Sequence, residues 1–278
     1  MSTNKTWFIT GASKGFGLLF VQQLLAKGDN VAATSRNISD LEKAAGTHPN
    51  FLPLEVDLTN EQSVATAINT TVAKFGKLDV VVNNAGYGLL GTLEELSDAE
   101  SRGNFEVNVF GLLNVIRQAM PHLRAQGSGH IFNISSIGGF TGNFPGFGIY
   151  CATKFAVTGL SESLAAEVKE FGINVTIVLP GYFRTNFLEA GSLAVPKNSI
   201  DAYRSTRDSQ QAHQNDINGN QAGDPEKGVA KIIKVAEEAN PPLYLFLGSD
   251  ALNLAHAKIA AVDTEIAAWR AVSVSTDF

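Results

Sequence analysis

Short β-rich runs alternate with helix-forming stretches from the first residues of the chain, and this cadence limits the fold more than any other feature. Residues 6–10, 30–34, 51–56, 78–82 and 130–134 are brief, β-branched and apolar on successive positions, the pattern of strands covered on both faces. Between them, residues 15–27, 38–45, 60–74 and 97–126 carry apolar side chains at helical spacing. Strand, helix, strand at this interval calls for right-handed crossovers and a parallel sheet between two helical layers.

The pattern runs on without a linker. Residues 149–171 read as a helix and 173–179 as a sixth strand. Residues 180–223 form a long polar, Gly-rich segment with little periodicity, expected as a loop or lid. Asp224 and Pro225 look like the cap and first turn of a helix to about Glu238, the prolines at 241 and 242 stop it, and residues 243–247 supply a seventh strand. In a final helix over about 249–272, Leu252, Ala255, Ile259, Val262, Ile266 and Trp269 are expected to bury one stripe. The expected architecture is one α/β domain over residues 1–278, a doubly wound Rossmann-type sandwich of about seven parallel strands with helices on both faces.

Composition removes several function classes. With 44% apolar residues the chain can bury a core, and a formal charge of −6 without any dense basic run argues against nucleic acid or an anionic membrane as partner. No apolar stretch approaches the roughly 20 residues of a membrane helix, and the opening residues lack a secretory pattern. A single cysteine, Cys151, allows no internal disulfide, so a cytoplasmic location is expected.

After the first strand comes Thr10-Gly11-Ala12-Ser13-Lys14-Gly15-Phe16-Gly17. Glycines at a strand-to-helix turn permit close backbone approach, and the helix N-terminus offers free N–H groups to a pyrophosphate. The second strand ends Thr34-Ser35-Arg36, without the carboxylate that would hold a ribose 2′-hydroxyl. Arg36, with Lys14 approaching from the glycine loop, instead suits a 2′-phosphate, so NADP (NADPH) is the expected cofactor.

Tyr150 and Lys154 are four apart on a helix and share a face, where an ammonium can support a phenolate. The strand over 131–134 delivers Ser135 and Ser136 to the carboxyl edge of the sheet, where such folds hold ligands. Together, Thr10-Gly11-(x)3-Gly15-x-Gly17, Asn83-Asn84-Ala85-Gly86, Asn108, Ser136, Tyr150-(x)3-Lys154 and Pro180-Gly181 resemble the short-chain dehydrogenase/reductase family, in its single-domain, NADP-preferring form.

That resemblance implies an oxidoreductase of the alcohol dehydrogenase or carbonyl reductase type, moving a hydride between nicotinamide and a ketone or secondary alcohol. It makes Tyr150 the general acid/base and Ser136 the partner of the substrate oxygen. Lys154 would bind the nicotinamide ribose and lower the Tyr150 pKa, and Asn108 would hold a water that relays protons from Lys154. It places Gly11, Ser13, Lys14, Gly15, Phe16 and Gly17 around the phosphates, with Arg36, and Asp57 and Leu58 at the adenine. Asn84, Ala85 and Gly86 would flank the ribose, with Pro180, Phe183 and Thr185 at the carboxamide end. Phe16 departs from the small aliphatic residue usual in the motif. Ser136 lies fourteen residues before Tyr150, one more than is common, which keeps Ser135 as an alternative.

Three further expectations follow from the residues. Cys151 should be a packed thiol, and the five histidines, lacking metal spacing, should hold surface or helix-end places without a metal. A stripe of Ala152, Ala156, Gly159 and Ser163, beside Leu160 and Leu164, suggests a homodimer through this helix and the one near 109–123. Residues 180–223 begin with Tyr182, Phe183, Phe187, Leu188, Leu193 and Val195 and continue polar, which suits a lid over an apolar substrate, with Lys197, Arg204 and Arg207 as solvated charges. A dinucleotide-sensing module without catalysis, or an epimerase or dehydratase, are the competing readings. Retention of both Tyr150 and Lys154 argues against the sensing module, and the absence of a larger substrate domain argues against the epimerase or dehydratase.

Overall fold

The main strands of the computed structural model are β1 (Thr6–Ile9), β2 (Asn30–Ser35), β3 (Phe51–Glu55), β4 (Val80–Asn83), β6 (Gly129–Ile134), β7 (Ile173–Pro180) and β9 (Tyr244–Leu247). They form one parallel sheet in the order β3-β2-β1-β4-β6-β7-β9. The structure describes residues 4–189 and 191–278. Residues 1–3 of the expected domain and Ala190 of the expected lid lie outside them.

The sheet separates two apolar cores, and β1 shows how its pleat divides them. Trp7 and Ile9 enter the core under α1 (Gly15–Lys27) and α8 (Pro225–Val235), while Phe8 enters the one shared with α3 (Glu61–Phe75) and α5 (Gly111–Gln126). Strands buried on both faces in this way cannot alternate polar and apolar residues. Helix ends follow their local chemistry. The side chain of Asn60 accepts from Ser63 N ahead of α3, Ser97 and Glu100 form a capping box on α4 (Asp98–Phe105), and Asp224 caps α8 with Pro225 in its first turn.

Four readings need correction. The helix expected over 97–126 is α4 and α5 joined by a π-helical turn, Glu106–Phe110, which carries Asn108. A second sheet, β5 (Gly88–Leu89) with β8 (Leu193–Ala194), was illegible because two residues carry no periodicity. The segment 180–223 is more regular than expected: it includes α7 (Arg204–Gln211) and a π turn, Ala212–Ile217. The buried positions of these two elements are the polar Thr206 and His213, so no apolar stripe announced a helix. Finally, α9 (Ser249–Val274) buries only Ala251 and Ala255 among the described residues. Leu252, Ile259, Ile266 and Trp269 stay exposed, the last two at 63% and 64%, so the expected stripe is not covered by the chain's own body. No helix of the described residues is long and apolar enough to cross a membrane.

Candidate active site

Strands β1 and β4 are neighbours whose connections leave in opposite directions, and this opens a crevice at their carboxyl ends. Two loops are stitched together there. Thr10 Oγ1 accepts from the N–H groups of Asn84 and Ala85, both at 3.0 Å, while Asn84 Nδ2 donates to the carbonyls of Thr10 (2.9 Å) and Gly11 (3.0 Å). Gly11 has φ +65°, and a Cβ on it would lie 2.8 Å from Ala85 Cα. A Cβ on Gly17 would lie 2.3 Å from the Gly11 carbonyl oxygen, so only glycine lets helix and loop close. No side chain caps α1 at Lys14, which leaves its first N–H groups facing the crevice.

The crevice widens into a cavity of about 910 Å³. Gly11, Ser13, Lys14, Gly15 and Phe16 line one stretch, with Arg36, Asp57 and Leu58 at that end and Asn84, Ala85 and Gly86 in the middle. Pro180, Phe183 and Thr185 follow, and then Ser136, Tyr150 and Lys154. Every expected site residue is on this wall except Gly17 and Asn108, which stand behind it. Lys14 and Arg36 are exposed, and neither enters a salt bridge among the described residues.

Tyr150 and Lys154 project from α6 (Gly148–Val168) and are 8% and 5% exposed. The Lys154 ammonium donates to the Ile134 carbonyl at 2.8 Å and lies 5.8 Å from the centre of the Tyr150 ring. Gly138 N–H donates to Ser136 Oγ at 3.0 Å, which leaves the serine's own proton free to be donated. Ser135 is committed elsewhere: its hydroxyl donates to the Lys154 carbonyl at 3.0 Å and pairs with Thr158. Of the two serine hydroxyls on the wall, the one whose proton is uncommitted is that of Ser136. Asn108 clamps the Tyr87 backbone, accepting from its N–H and donating to its carbonyl, both at 3.0 Å, and it reaches Thr153 at 3.1 Å.

Burial pushes the Tyr150 phenol above its ordinary value, with the Ser136 hydroxyl pulling the other way. Burial also brings Lys154 down to about 8. The expected lowering of Tyr150 by Lys154 is thus not what the chain's own groups produce: burial is the largest influence and Lys154 is not among the groups that move the phenol. Cys151 is buried and its thiol is pushed up to about 11, the state of a packed, unreactive group, as expected.

Phe144, Phe147, Phe187 and Leu188 also line the cavity. Phe140 packs against Phe246 under α9, and Val195, expected in the lid's apolar start, faces outward at 40% exposure. Phe16 meets Phe183 edge-on at 5.1 Å, which gives the unusual aromatic in the glycine motif a partner beside the expected carboxamide position. Lys197 and Arg204 are exposed, and Arg207 is paired with Glu95 at 2.7 Å; none of the three lines the cavity. Two histidines depart from the expected surface or helix-end places. His130 is buried against Phe132 and Thr176, and His213 is buried on the cavity wall, where Tyr182 bonds to it. His213 and Gln221, also on the wall, lie in the polar run with no local signal to single them out.

Known proteins are similar to this chain in sequence and fold. The short chain dehydrogenase family profile matches residues 5–193. An oxidoreductase, BOA17, of Botryotinia fuckeliana (strain B05.10) is 36% identical over 275 residues, 98% of this chain and 99% of its own length. The crystal structure of a short-chain dehydrogenase from Streptomyces avermitilis superposes with a TM-score of 0.90 at 36% identity, covering 99% of this chain and 100% of its own. ElxO with NADP bound is 29% identical with a TM-score of 0.74, covering 90% of this chain and 100% of its own.

Proposed function

The chain belongs to the short-chain dehydrogenase family of oxidoreductases, and from that premise we propose that it transfers a hydride between NADP(H) and a neutral ketone or secondary alcohol. One observation carries the reading: Tyr150, Lys154 and Ser136 line one cavity that is continuous with the glycine loop and ends at two free cations.

The residues fit a dinucleotide. Glycine at Gly11 and Gly17 lets the strand-to-helix turn close on the Ala85 loop, which sets Gly11 and Gly15 on the cavity wall, and the uncapped α1 N-terminus suits a pyrophosphate. Lys14 and Arg36 would hold a 2′-phosphate, where an acidic residue would repel it. ElxO, with NADP bound, supports that preference. Asp57 and Leu58 would flank the adenine, Asn84, Ala85, Gly86 and Lys154 the riboses, and Pro180, Phe183 and Thr185 the carboxamide. When bound, the nicotinamide supplies or accepts the hydride.

The chain's own groups do the rest. The Tyr150 hydroxyl gives its proton to the substrate oxygen during reduction and takes it back during oxidation. Ser136, oriented by the Gly138 amide, donates to the same oxygen and stabilises its developing charge. The Lys154 ammonium, fixed by the Ile134 carbonyl, stabilises the Tyr150 phenolate as the proton leaves. Both amide ends of Asn108 are engaged with Tyr87 and Thr153, so a relay water at this residue would bind its main-chain carbonyl in the π turn. Around the reacting centre the wall mixes apolar with uncharged polar side chains, and its full charges, Lys14, Arg36, Asp40, Asp57 and Lys154, lie on the stretch given to the dinucleotide and its ribose. A neutral substrate follows from that distribution.

The test is oxidation of NADPH by the purified protein over a panel of aliphatic, aryl and cyclic ketones. Turnover is expected with neutral apolar members, and Tyr150→Phe should lower kcat by about 10²–10⁴-fold with NADPH affinity kept. Turnover by Tyr150→Phe at more than a few per cent of the wild-type rate would reassign the acid.

A further inference from the structure

Beyond the groups given to proton transfer, the cavity is bordered by three polar side chains, Tyr182, His213 and Gln221. His213, in the π turn after α7, meets the Phe147 ring at 4.8 Å, and Phe147 in turn stands edge-on to Tyr150 at 6.1 Å. His213 is therefore two ring contacts from the general acid. Its tautomer follows from its partners. Nδ1 lies 2.7 Å from the Ser209 carbonyl oxygen, an acceptor only, so Nδ1 carries the proton. Nε2 then accepts the Tyr182 hydroxyl proton, at 2.9 Å. With its proton committed to histidine, the Tyr182 oxygen still has lone pairs to offer a donor in the cavity.

Gln221 is an independent pointer. It borders the same cavity, is 3% exposed, and both atoms of its carboxamide are buried with no hydrogen-bond partner among the described residues. Its backbone is held, since the Arg184 guanidinium donates to the Gln221 carbonyl at 3.2 and 3.3 Å. Buried amides without partners are rare in folded proteins and call for a partner the chain itself does not supply.

We propose that Tyr182, held by His213, and Gln221 form a polar terminus of the substrate cavity that recognises a hydroxyl carried by the substrate away from its reacting carbon. The Tyr182 oxygen accepts the hydroxyl proton, and the Gln221 amide donates to the hydroxyl oxygen. Phe147, Phe187 and Leu188 cover the apolar body between the two ends. A carboxylate or phosphate is disfavoured, because Lys197 and Arg204 point to solvent and Arg207 is neutralised by Glu95. The substrate class is a neutral hydroxyketone, or the corresponding diol in the oxidative direction. This rests on the oxidoreductase reading above, and the experiment separates the two.

A straight-chain methyl ketone of ten carbons is compared with the same ketone hydroxylated on its sixth, eighth or tenth carbon. Binding to the protein in the presence of NADP is measured by calorimetry, and NADPH oxidation gives kcat/KM in parallel. At least one hydroxyketone should bind about tenfold or more tightly than the parent, because the site's polar groups are otherwise left unpaired. In Tyr182→Phe and in Gln221→Leu that preference should shrink to less than about threefold. His213→Gln, which keeps an acceptor for Tyr182, should retain more of the preference than His213→Phe. Absence of any preference in the wild type, or a preference that survives both Tyr182→Phe and Gln221→Leu, overturns the proposal. Preference in binding without turnover of any ketone would instead count against the oxidoreductase reading and leave the subsite standing.

Discussion

The Glu95 carboxylate sets how firmly the outer wall of the cavity is held, and Glu95→Gln is the perturbation that measures it. No solvent touches the side chain, and it gathers four contacts: the N–H of Thr92 at 2.8 Å, the N–H of Ile200 at 2.7 Å, and Arg207 Nη2 at 2.7 Å to each oxygen. These tie the loop before α4 to the segment leading into α7, and so to His213. Burial alone would raise its pKa, but the amides of Ile200 and Thr92, together with Arg207, outweigh that and hold the carboxyl below its ordinary value of 4.5. A carboxyl lowered on folding stabilises the protein fully above its unfolded pKa, and the contribution is lost as pH falls through the folded value. Glutamine keeps the shape and one acceptor oxygen, but it turns an N–H₂ toward the guanidinium and leaves Arg207 without a counter-charge.

The pair is covered yet close to the molecular surface, and Arg207 remains 28% exposed, so the penalty is set by charge-assisted hydrogen bonds rather than by full burial of an ion. That gives about 2 kcal/mol, or roughly a 30-fold rise in local opening. Amide hydrogen exchange followed by mass spectrometry reads it directly. At pH 7, peptides spanning residues 197–217 should exchange about 30-fold faster in Glu95→Gln, and the amides of β4 and β6 should not change. Asp98→Asn, which breaks the exposed pair with Arg102, is the control and should alter nothing. Unchanged exchange over 197–217 would refute the idea that this ion pair holds the segment in place.

Three other outcomes are expected. Arg36→Ala and Lys14→Ala should each weaken NADPH binding by roughly tenfold and leave NADH nearly unaffected, as read by fluorescence titration, since each removes one charge-assisted contact to the 2′-phosphate; an equal loss for both cofactors would contradict the assignment. His130, held neutral by burial with its pKa down to about 3, binds fewer protons folded than unfolded between about pH 3 and 6.5, so its contribution is whole above pH 6.5 and declines as pH falls. Between pH 7 and 5 urea unfolding should show a loss of about 2 kcal/mol that His130→Phe lacks. On α6 a side chain at Gly159 would meet nothing within 4 Å, and Ala152 and Ser163 beside it are exposed, so Gly159→Lys should fold normally yet turn the proposed homodimer into a monomer by light scattering; a monomeric wild type would remove the dimer outright.

The parts of this protein that were legible in its sequence are those whose geometry one element sets. Tyr150 and Lys154 share a face because four residues make one helical turn, and Gly11 and Gly17 are readable because the strand-to-helix turn tolerates no Cβ there. Strand-end residues such as Ser136 were legible to within one position, and only the commitment of Ser135 to the Lys154 carbonyl resolved the pair. Periodicity failed in two opposite ways. In α9 it correctly marked an apolar face, but an apolar face does not say what covers it, and most of that stripe is exposed. In α7 and the following π turn the buried positions are Thr206 and His213, so a helix whose following turn reaches the cavity wall through His213 left no apolar signature.

The distribution of that illegibility has a physical cause. The groups proposed for proton transfer must be rigid relative to one another, and they stand on a strand end and one helix. The substrate's far end is met by Tyr182, His213 and Gln221, which converge only through tertiary packing of the segment held by the Glu95–Arg207 pair. Changing which compound fits therefore requires changes only in that segment, with the sheet and Tyr150 left undisturbed. The pair that anchors the segment becomes a determinant of specificity even though neither residue lines the cavity. Loosening it with Glu95→Gln should erode discrimination between a hydroxyketone and its parent ketone more than it lowers turnover of the parent, because Tyr150, Ser136 and Lys154 are anchored independently of it.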